Sequence, residues 1–303
     1  MNTSKPAQYA PFPELGALLQ LIKPITWFPP MWAYLCGVVA SGASPFSNWP
    51  LILLGIVLAG PIVCGMSQAA NDWCDRHVDK INEPNRPIPS GRVPGRWGLW
   101  IALMMSLLSL LVGWQLGPWG FGATVFAVLA AWAYSAEPIR LKRSGWWGPG
   151  LVGFSYESLP WFTGAAVMSD GAPSAPIILV AILYGLGAHG IMTLNDFKAL
   201  EGDRVMQVRS LPVALGPELA ARIACVIMIL PQIIILGLLV HWQTNLFAIG
   251  LLVVIILQIF AMVVLLKDPA GKAPWYNGTG VLLYVLGMML VAISLQDIPV
   301  FWP

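Results

Sequence analysis

The chain has 303 residues, of which 57% are hydrophobic and 10% charged, and its mean hydropathy is +0.73. A soluble globular domain carries about 25% charged residues, so this composition excludes a soluble enzyme, a disordered chain and a fibrous one. The 16 Lys and Arg against 14 Asp and Glu leave a net charge of +2, too small to point to nucleic acid.

In chain order, residues 1–17 are polar and proline-rich and lack the pattern of a cleaved signal peptide, so they are expected to form a cytoplasmic tail. A helix crossing the bilayer needs about 20 mostly apolar residues. Nine such stretches follow: 18–42, 50–72, 97–116, 118–136, 148–168, 176–196, 218–240, 244–266 and 278–297. The first contains Lys23 and is broken by Pro24, Pro29 and Pro30. The expectation is one all-α domain over 18–303, a polytopic membrane protein with nine transmembrane helices. The four cysteines, Cys36, Cys64, Cys74 and Cys225, form no C-x-x-C pair, which favours reduced thiols over a disulfide frame or a zinc site.

With nine spans the sixteen basic residues all fall on one side. They follow spans 2, 4, 6 and 8, or lie at the N-terminal end (Lys5 and Lys23) or at the start of span 7 (Arg222), and the opposite loops carry none. The positive-inside rule then places the N-terminus and the basic loops in the cytoplasm and the C-terminus across the membrane.

Two of the basic-side loops look alike. One reads NDWCDRHVDKINEPNRPIPSGR from Asn71, and the other NDFKALEGDRVMQVRSLP from Asn195. Each opens with Asn-Asp at the end of an apolar span and reaches an R-x-x-P, at Arg86 and at Arg209. This resembles an internal repeat whose copies face each other across a bundle. Asp72, Asp75 and Asp79 lie at i, i+3 and i+7, on one helical stripe. Carboxylates so placed repel, and a divalent cation sharing them with phosphate oxygens offsets the repulsion. Asn71 adds a neutral oxygen. The second segment repeats the spacing at Asp196 and Asp203 but has Ala199 in the middle; Glu201 substitutes if the helix loosens near Gly202. Arg86, Arg140, Lys142, Arg143, Lys198 and Arg209 suit anionic phosphate oxygens, although cytoplasmic loops carry such residues in any case.

Two polar residues fall inside spans. Glu157 fits either a ligand-orienting role or a protonated helix–helix hydrogen bond. His189 fits a ligand for a bound metal ion, or more simply an interhelical hydrogen bond. Tyr156, next to Glu157, is expected to point elsewhere. Asn277-Gly278-Thr279 matches a glycosylation sequon but falls on the cytoplasmic side, where it has no such meaning.

The Asn71-Asp72-x-x-Asp75-x-x-x-Asp79 motif resembles the first aspartate-rich motif of UbiA-type intramembrane prenyltransferases, and the second segment sits where that family has its second acidic cluster. The stretches INEPNRPIPSGRV (81–93), AYSAEPIRLKRSGWWGPGLVG (133–153) and NDFKALEGDR (195–204) are similar to chlorophyll and bacteriochlorophyll synthases. The resemblance implies nine helices around a central cavity and a magnesium cofactor. It also implies a reaction that esterifies the propionate of bacteriochlorophyllide a with a C20 chain from geranylgeranyl or phytyl diphosphate. It gives Asp72, Asp75 and Asp196 the catalytic role. Metal binding would fall to Asn71, Asp72, Asp75, Asp79, Asp196, Glu201 and Asp203. Substrate contacts would fall to Asn71, Arg86, Arg140, Lys142, Asn195, Lys198, Arg209 and Glu157. A bacterial inner or intracytoplasmic membrane is the implied location, with the lipid bilayer and other pigment-synthesis or photosynthetic assembly proteins as partners. Two competitors stay open: another prenyl transfer in the same superfamily (chlorophyllide, a quinone precursor or haem), and a non-enzymatic transporter or pigment-binding protein.

Overall fold

The computed structural model describes residues 11–205 and 208–298, apart from the side chains of residues 199, 201, 205 and 297. The first ten residues of the expected tail and the last five of the chain lie outside the described residues. Among the described residues there is no strand, only an isolated bridge between Ser144 and Arg209.

The helices run as α1 (Leu15–Ile22), α2 (Phe28–Ala40), α3 (Pro45–Asn82), α4 (Trp97–Gln115), α5 (Gly117–Ser135) and α6 (147–169). They continue as α7 (Ala175–Asn195), α8 (Leu200–Val205), α9 (Leu211–Leu215), α10 (Pro217–His241), α11 (Asn245–Leu265) and α12 (Pro269–Ser294). Among the described residues, six are long and apolar enough to cross a membrane: α3, α4, α7, α10, α11 and α12. The other three expected spans are helical but different in kind. Span 1 is split, because Lys23 adopts a left-handed backbone (φ 46°) and Pro24 starts a separate 3-10 turn, leaving α1 and α2 as short pieces. Helix α5 opens on Gly-Pro-Trp-Gly, and α6 carries glycines, Pro160 and Glu157, so both are less apolar.

Helix α12 begins nine residues before the expected 278. Asp268 caps it, its side chain accepting from the Gly271 amide at 3.1 Å, and Pro269 takes the first helical position, where its missing N–H costs nothing. Helix α3 has 38 residues, about 57 Å at 1.5 Å per residue, roughly twice the hydrocarbon thickness. It is therefore longer than a hydrocarbon layer needs, and its polar last turns carry the first acidic motif. Two helices contain wide π turns, at Leu58–Cys64 in α3 and Phe154–Ser158 in α6. Each inserts extra backbone and resets which side chains face inward.

Two apolar clusters flank the site, and a third forms around Leu58, Ile62 and Leu116. The larger joins α2, α6, α7, α10, α11 and α12 around Trp161, Tyr184, Met228 and Tyr284. The smaller joins α1, α3, α4 and α5 around Leu21, Met66, Ala102 and Val128. Helices α2 and α6 approach closely. A Cβ on Gly37 would stand 2.0 Å from the Trp161 carbonyl oxygen, and one on Gly164 would stand 2.2 Å from that of Tyr34. Small residues at helix contacts are what packing in lipid selects. Gln232 and Gln258 exchange two hydrogen bonds, 2.9 and 3.1 Å, and join α10 to α11 inside the apolar layer. Leu246, Ile249 and Phe260 on α11 are exposed, as a lipid-facing surface requires.

Candidate active site

Between the two clusters lies a cavity of about 750 Å³. Its walls come from the α1–α2 junction and from α3, α5, α6, α7 and α12. Polar side chains line it where the helices meet the basic loops: Lys23, Asn71, Arg86, Ser135, Asn195 and Lys198. Ala59, twelve residues before Asn71 and so about 18 Å along the helix, lines it at the other end with Pro30 and Ala127. A smaller apolar hollow shares Pro30, Ala59, Val63, Ala127 and Ser155 with the cavity and extends it toward Tyr34 and Leu159. The chamber thus has a charged mouth and a greasy depth.

The first acidic motif lies in unbroken α-helix, Gly65–Asn82, as its spacing requires. Asp72 is 1% exposed; its Oδ1 lies 2.8 Å from Lys23 Nζ and 3.6 Å from an Arg86 nitrogen. The same Arg86 nitrogen is 2.9 Å from Asp79, and Arg86 also forks onto Glu83 at 2.5 and 2.6 Å. Asp75 turns to other partners. Arg140 donates to it at 2.9 Å and Lys142 contacts its second oxygen. Arg140 also bonds Glu137 at 3.0 Å. Burial pushes the Lys142 ammonium below its usual range, with Asp75 pulling the other way. Lys23 and Arg140, the cations that meet Asp72 and Asp75, both sit in the left-handed region at φ 46° and 40°. Such backbone costs about 1–3 kcal/mol per residue and persists where surroundings fix it.

These pairs add a second means of relieving the carboxylate repulsion besides the expected divalent cation. Four basic side chains already do so. Among them, Lys23 has no expected site role in the sequence, which places it only in the proline-broken first span.

The second segment departs from its expected geometry. Helix α7 ends at Asn195, a 3-10 turn runs Asp196–Ala199, and α8 restarts at Leu200. The chain therefore tightens before Gly202 rather than loosening there, and an i, i+7 stripe does not describe Asp196 and Asp203. Burial pushes the Asp203 carboxyl above its usual range. The side chain of Glu201 lies outside the described residues. Tyr134 and Ser135, at the end of α5, line the cavity opposite Asn195 and Lys198 of this segment.

Other expectations are redistributed. Glu157 is 3% exposed and does not line the cavity. Tyr156, expected to point away, does line it, accepting from Gln68 at 3.2 Å and sharing a 3.3 Å hydrogen bond with Cys64. Tyr156 continues the lining face of Leu151, Val152 and Ser155 at the i, i+4 spacing of a helix, and Glu157 is the next residue round. His189 Nε2 lies 2.9 Å from the Trp146 carbonyl oxygen and Nδ1 3.4 Å from Thr193 Oγ1, which matches the simple interhelical role. Arg209 is exposed and lines an outer hollow with Arg140, Arg143 and Trp146, not the cavity. Its backbone clasps two loops. Its carbonyl accepts from the Gly145 amide at 2.8 Å, and a Cβ on Gly145 would come within 2.4 Å of that oxygen.

Among the described residues, no three Asp, Glu, His or Cys side chains converge closely enough to hold a metal by themselves. The donors present nonetheless fit Mg²⁺. Asp72 Oδ2 is buried without a hydrogen-bond partner beside a hollow that shares Lys23 and Arg86 with the chamber, and Asn71 and Asn195 bring amide oxygens to the chamber itself. Mg²⁺ characteristically takes one or two carboxylates and completes its shell with water and substrate phosphate.

Comparison with known proteins matches the UbiA prenyltransferase family over residues 30–295. The chain is 70% identical to the bacteriochlorophyll synthase 33 kDa chain of Cereibacter sphaeroides, over 95% of each sequence. It is 35% identical to the chloroplastic chlorophyll synthase of Arabidopsis thaliana, over 92% of this chain and 74% of that one. A UbiA homolog from Archaeoglobus fulgidus, solved bound to GPP and Mg²⁺, superposes with a TM-score of 0.68 at 17% identity, over 90% of this chain and 99% of that one. A digeranylgeranylglyceryl phosphate synthase structure gives a TM-score of 0.70 at 22% identity, over 92% of this chain and 98% of that one. With its helical fold, its amphipathic chamber and a family match across most of its length, the chain belongs to the UbiA prenyltransferases.

Proposed function

We propose that the protein transfers a C20 prenyl group, geranylgeranyl or phytyl, from its diphosphate to the propionate carboxylate of bacteriochlorophyllide a. The observation that carries this reading is the 70% identity to a bacteriochlorophyll synthase across 95% of both chains. The chamber's chemistry is consistent with it: charge at one end for a diphosphate, and apolar walls deeper in for a long chain.

In this reading Lys23, Arg86 and Lys198 attract the diphosphate to the mouth, and Asp72, Asp75 and Asp196 form its acidic rim with Asn71 and Asn195. Arg140 and Lys142 hold Asp75 in place. Mg²⁺, held by Asp72 and the neighbouring amide and carboxylate oxygens, would supply electrophilic stabilisation of the leaving diphosphate. Pre-oriented cations do the same without reorganising as charge develops. The C–O bond to diphosphate breaks, and the allylic cation is captured by a carboxylate oxygen of the pigment, forming the ester. The carboxylate is already ionised at neutral pH, so no general base is required. The apolar depth keeps water from the cation and takes up the chain, whose burial contributes about 0.8 kcal/mol per CH₂.

The same reading takes the chain to span a bacterial inner membrane nine times as one domain, with α1–α2, α5 and α6 completing the six longer helices. The basic loops and N-terminus would face the cytoplasm and the C-terminus the periplasm. The test is an assay of purified protein with Mg²⁺, both pigment acids and both C20 diphosphates, the products separated by polarity. Ester formation on bacteriochlorophyllide a is the expected result. Its absence, with turnover of a quinone precursor or haem instead, would overturn the assignment.

A further inference from the structure

Asn277 stands on α12, outside both acidic segments, yet it lines the chamber. Its Nδ2 donates to Asn195 Oδ1 at 2.9 Å, tying α12 to the last residue of α7, where the second acidic segment begins. Its own Oδ1 is buried and has no donor. An amide oxygen has two acceptor positions. On Asn195 one is filled by Asn277, which fixes the amide plane and leaves the second free. On Asn277 the acceptor waits for a proton donor. A fully ionised diphosphate offers none and neither does a hydrocarbon chain, but the hydration shell of a divalent cation does.

Resting on the prenyl-transfer reading, we propose that Asn277 is a positioning residue for cation-assisted diphosphate binding. It orients the Asn195 carbonyl and accepts a hydrogen bond from water carried by the cation. Ligands fixed from behind by such a bond typically lose 10–100-fold in metal affinity when it is removed.

The test uses the full-length protein in detergent, a non-reacting geranylgeranyl thiodiphosphate, and calorimetry over a range of Mg²⁺ concentrations. Geranylgeraniol, which lacks the phosphates, is titrated in parallel. N277L keeps the side-chain volume and removes the amide. It is expected to raise the Mg²⁺ concentration for half-maximal analogue binding about tenfold while leaving geranylgeraniol binding unchanged. N277A should do the same, and the double variant N195A/N277A should lose no more than N195A alone. An unchanged Mg²⁺ dependence in N277L, additive losses in the double variant, or equal weakening of geranylgeraniol would each overturn the positioning role. Failure of the wild-type protein to bind the analogue with Mg²⁺ would instead overturn the prenyl-transfer reading, and this proposal with it.

Discussion

The Lys23 ammonium lies 2.8 Å from Asp72 Oδ1, while Oδ2 of the same carboxylate is buried without a partner. One oxygen is therefore anchored and the other held ready for a ligand. Asp72→Asn keeps the shape and removes the charge. It is expected to lower kcat/KM by at least about 100-fold, the scale of a lost electrostatic contact at a developing charge. Steady-state kinetics on protein of unchanged helix content checks this. Lys23→Met should chiefly raise KM for the diphosphate, about tenfold.

Removing divalent cations separates chemistry from stability. Lys23, Arg86, Arg140 and Lys142 already neutralise the first acidic motif. Chelation with EDTA is therefore expected to abolish turnover reversibly, with Mg²⁺ restoring it, while the melting temperature stays where it was. A large drop in melting temperature on chelation would contradict the pairing described above.

Arg140 bridges Glu137 and Asp75 with two nitrogens, 3.0 and 2.9 Å away. Lysine presents a single point charge and cannot reproduce the fork. Arg140→Lys is expected to cost about tenfold in kcat/KM despite conserving charge, as read by initial rates at fixed Mg²⁺.

The neighbours Tyr156 and Glu157 should behave oppositely to what their polarity suggests. Glu157→Gln is expected to keep kcat/KM within about threefold, because the residue is off the chamber wall. Tyr156→Phe removes a hydroxyl that faces the chamber and should shift KM for one substrate. Parallel kinetics of the two variants decides between them.

Ala127 lies on the wall shared by the chamber and its apolar extension. Ala127→Phe should fill that passage and change the preference between C20 and C10 diphosphates by about tenfold in favour of the shorter, measured by competition.

Much of this site is written in local patterns. The Asp72, Asp75, Asp79 spacing needs only a continuous helix, and Gly65–Asn82 provides one. The second segment is harder to read, because a 3-10 turn at Asp196 ends the helical period and no single residue there announces it. Lys23, Tyr156 and Asn277 escaped for a common reason. Their roles come from partners 49, 88 and 82 residues away, on other helices. The early start of α12 was more legible, since Asp268-Pro269 is an ordinary helix-opening pair.

The wide turn at Leu58–Cys64 has a consequence for the angular phase of α3. It lies upstream of Asn71, Asp72, Asp75 and Asp79, so it sets the azimuth at which all four leave the helix. A wide turn absorbs one extra residue, so deleting one residue there leaves the downstream phase in place, whereas deleting one residue from the regular helix between Gly65 and Gln68 would swing everything downstream by about 100°. Asp72 would then leave Lys23 and Arg86 although its own sequence neighbourhood were untouched. The acids' orientation is thus decided more than a full turn before the first of them.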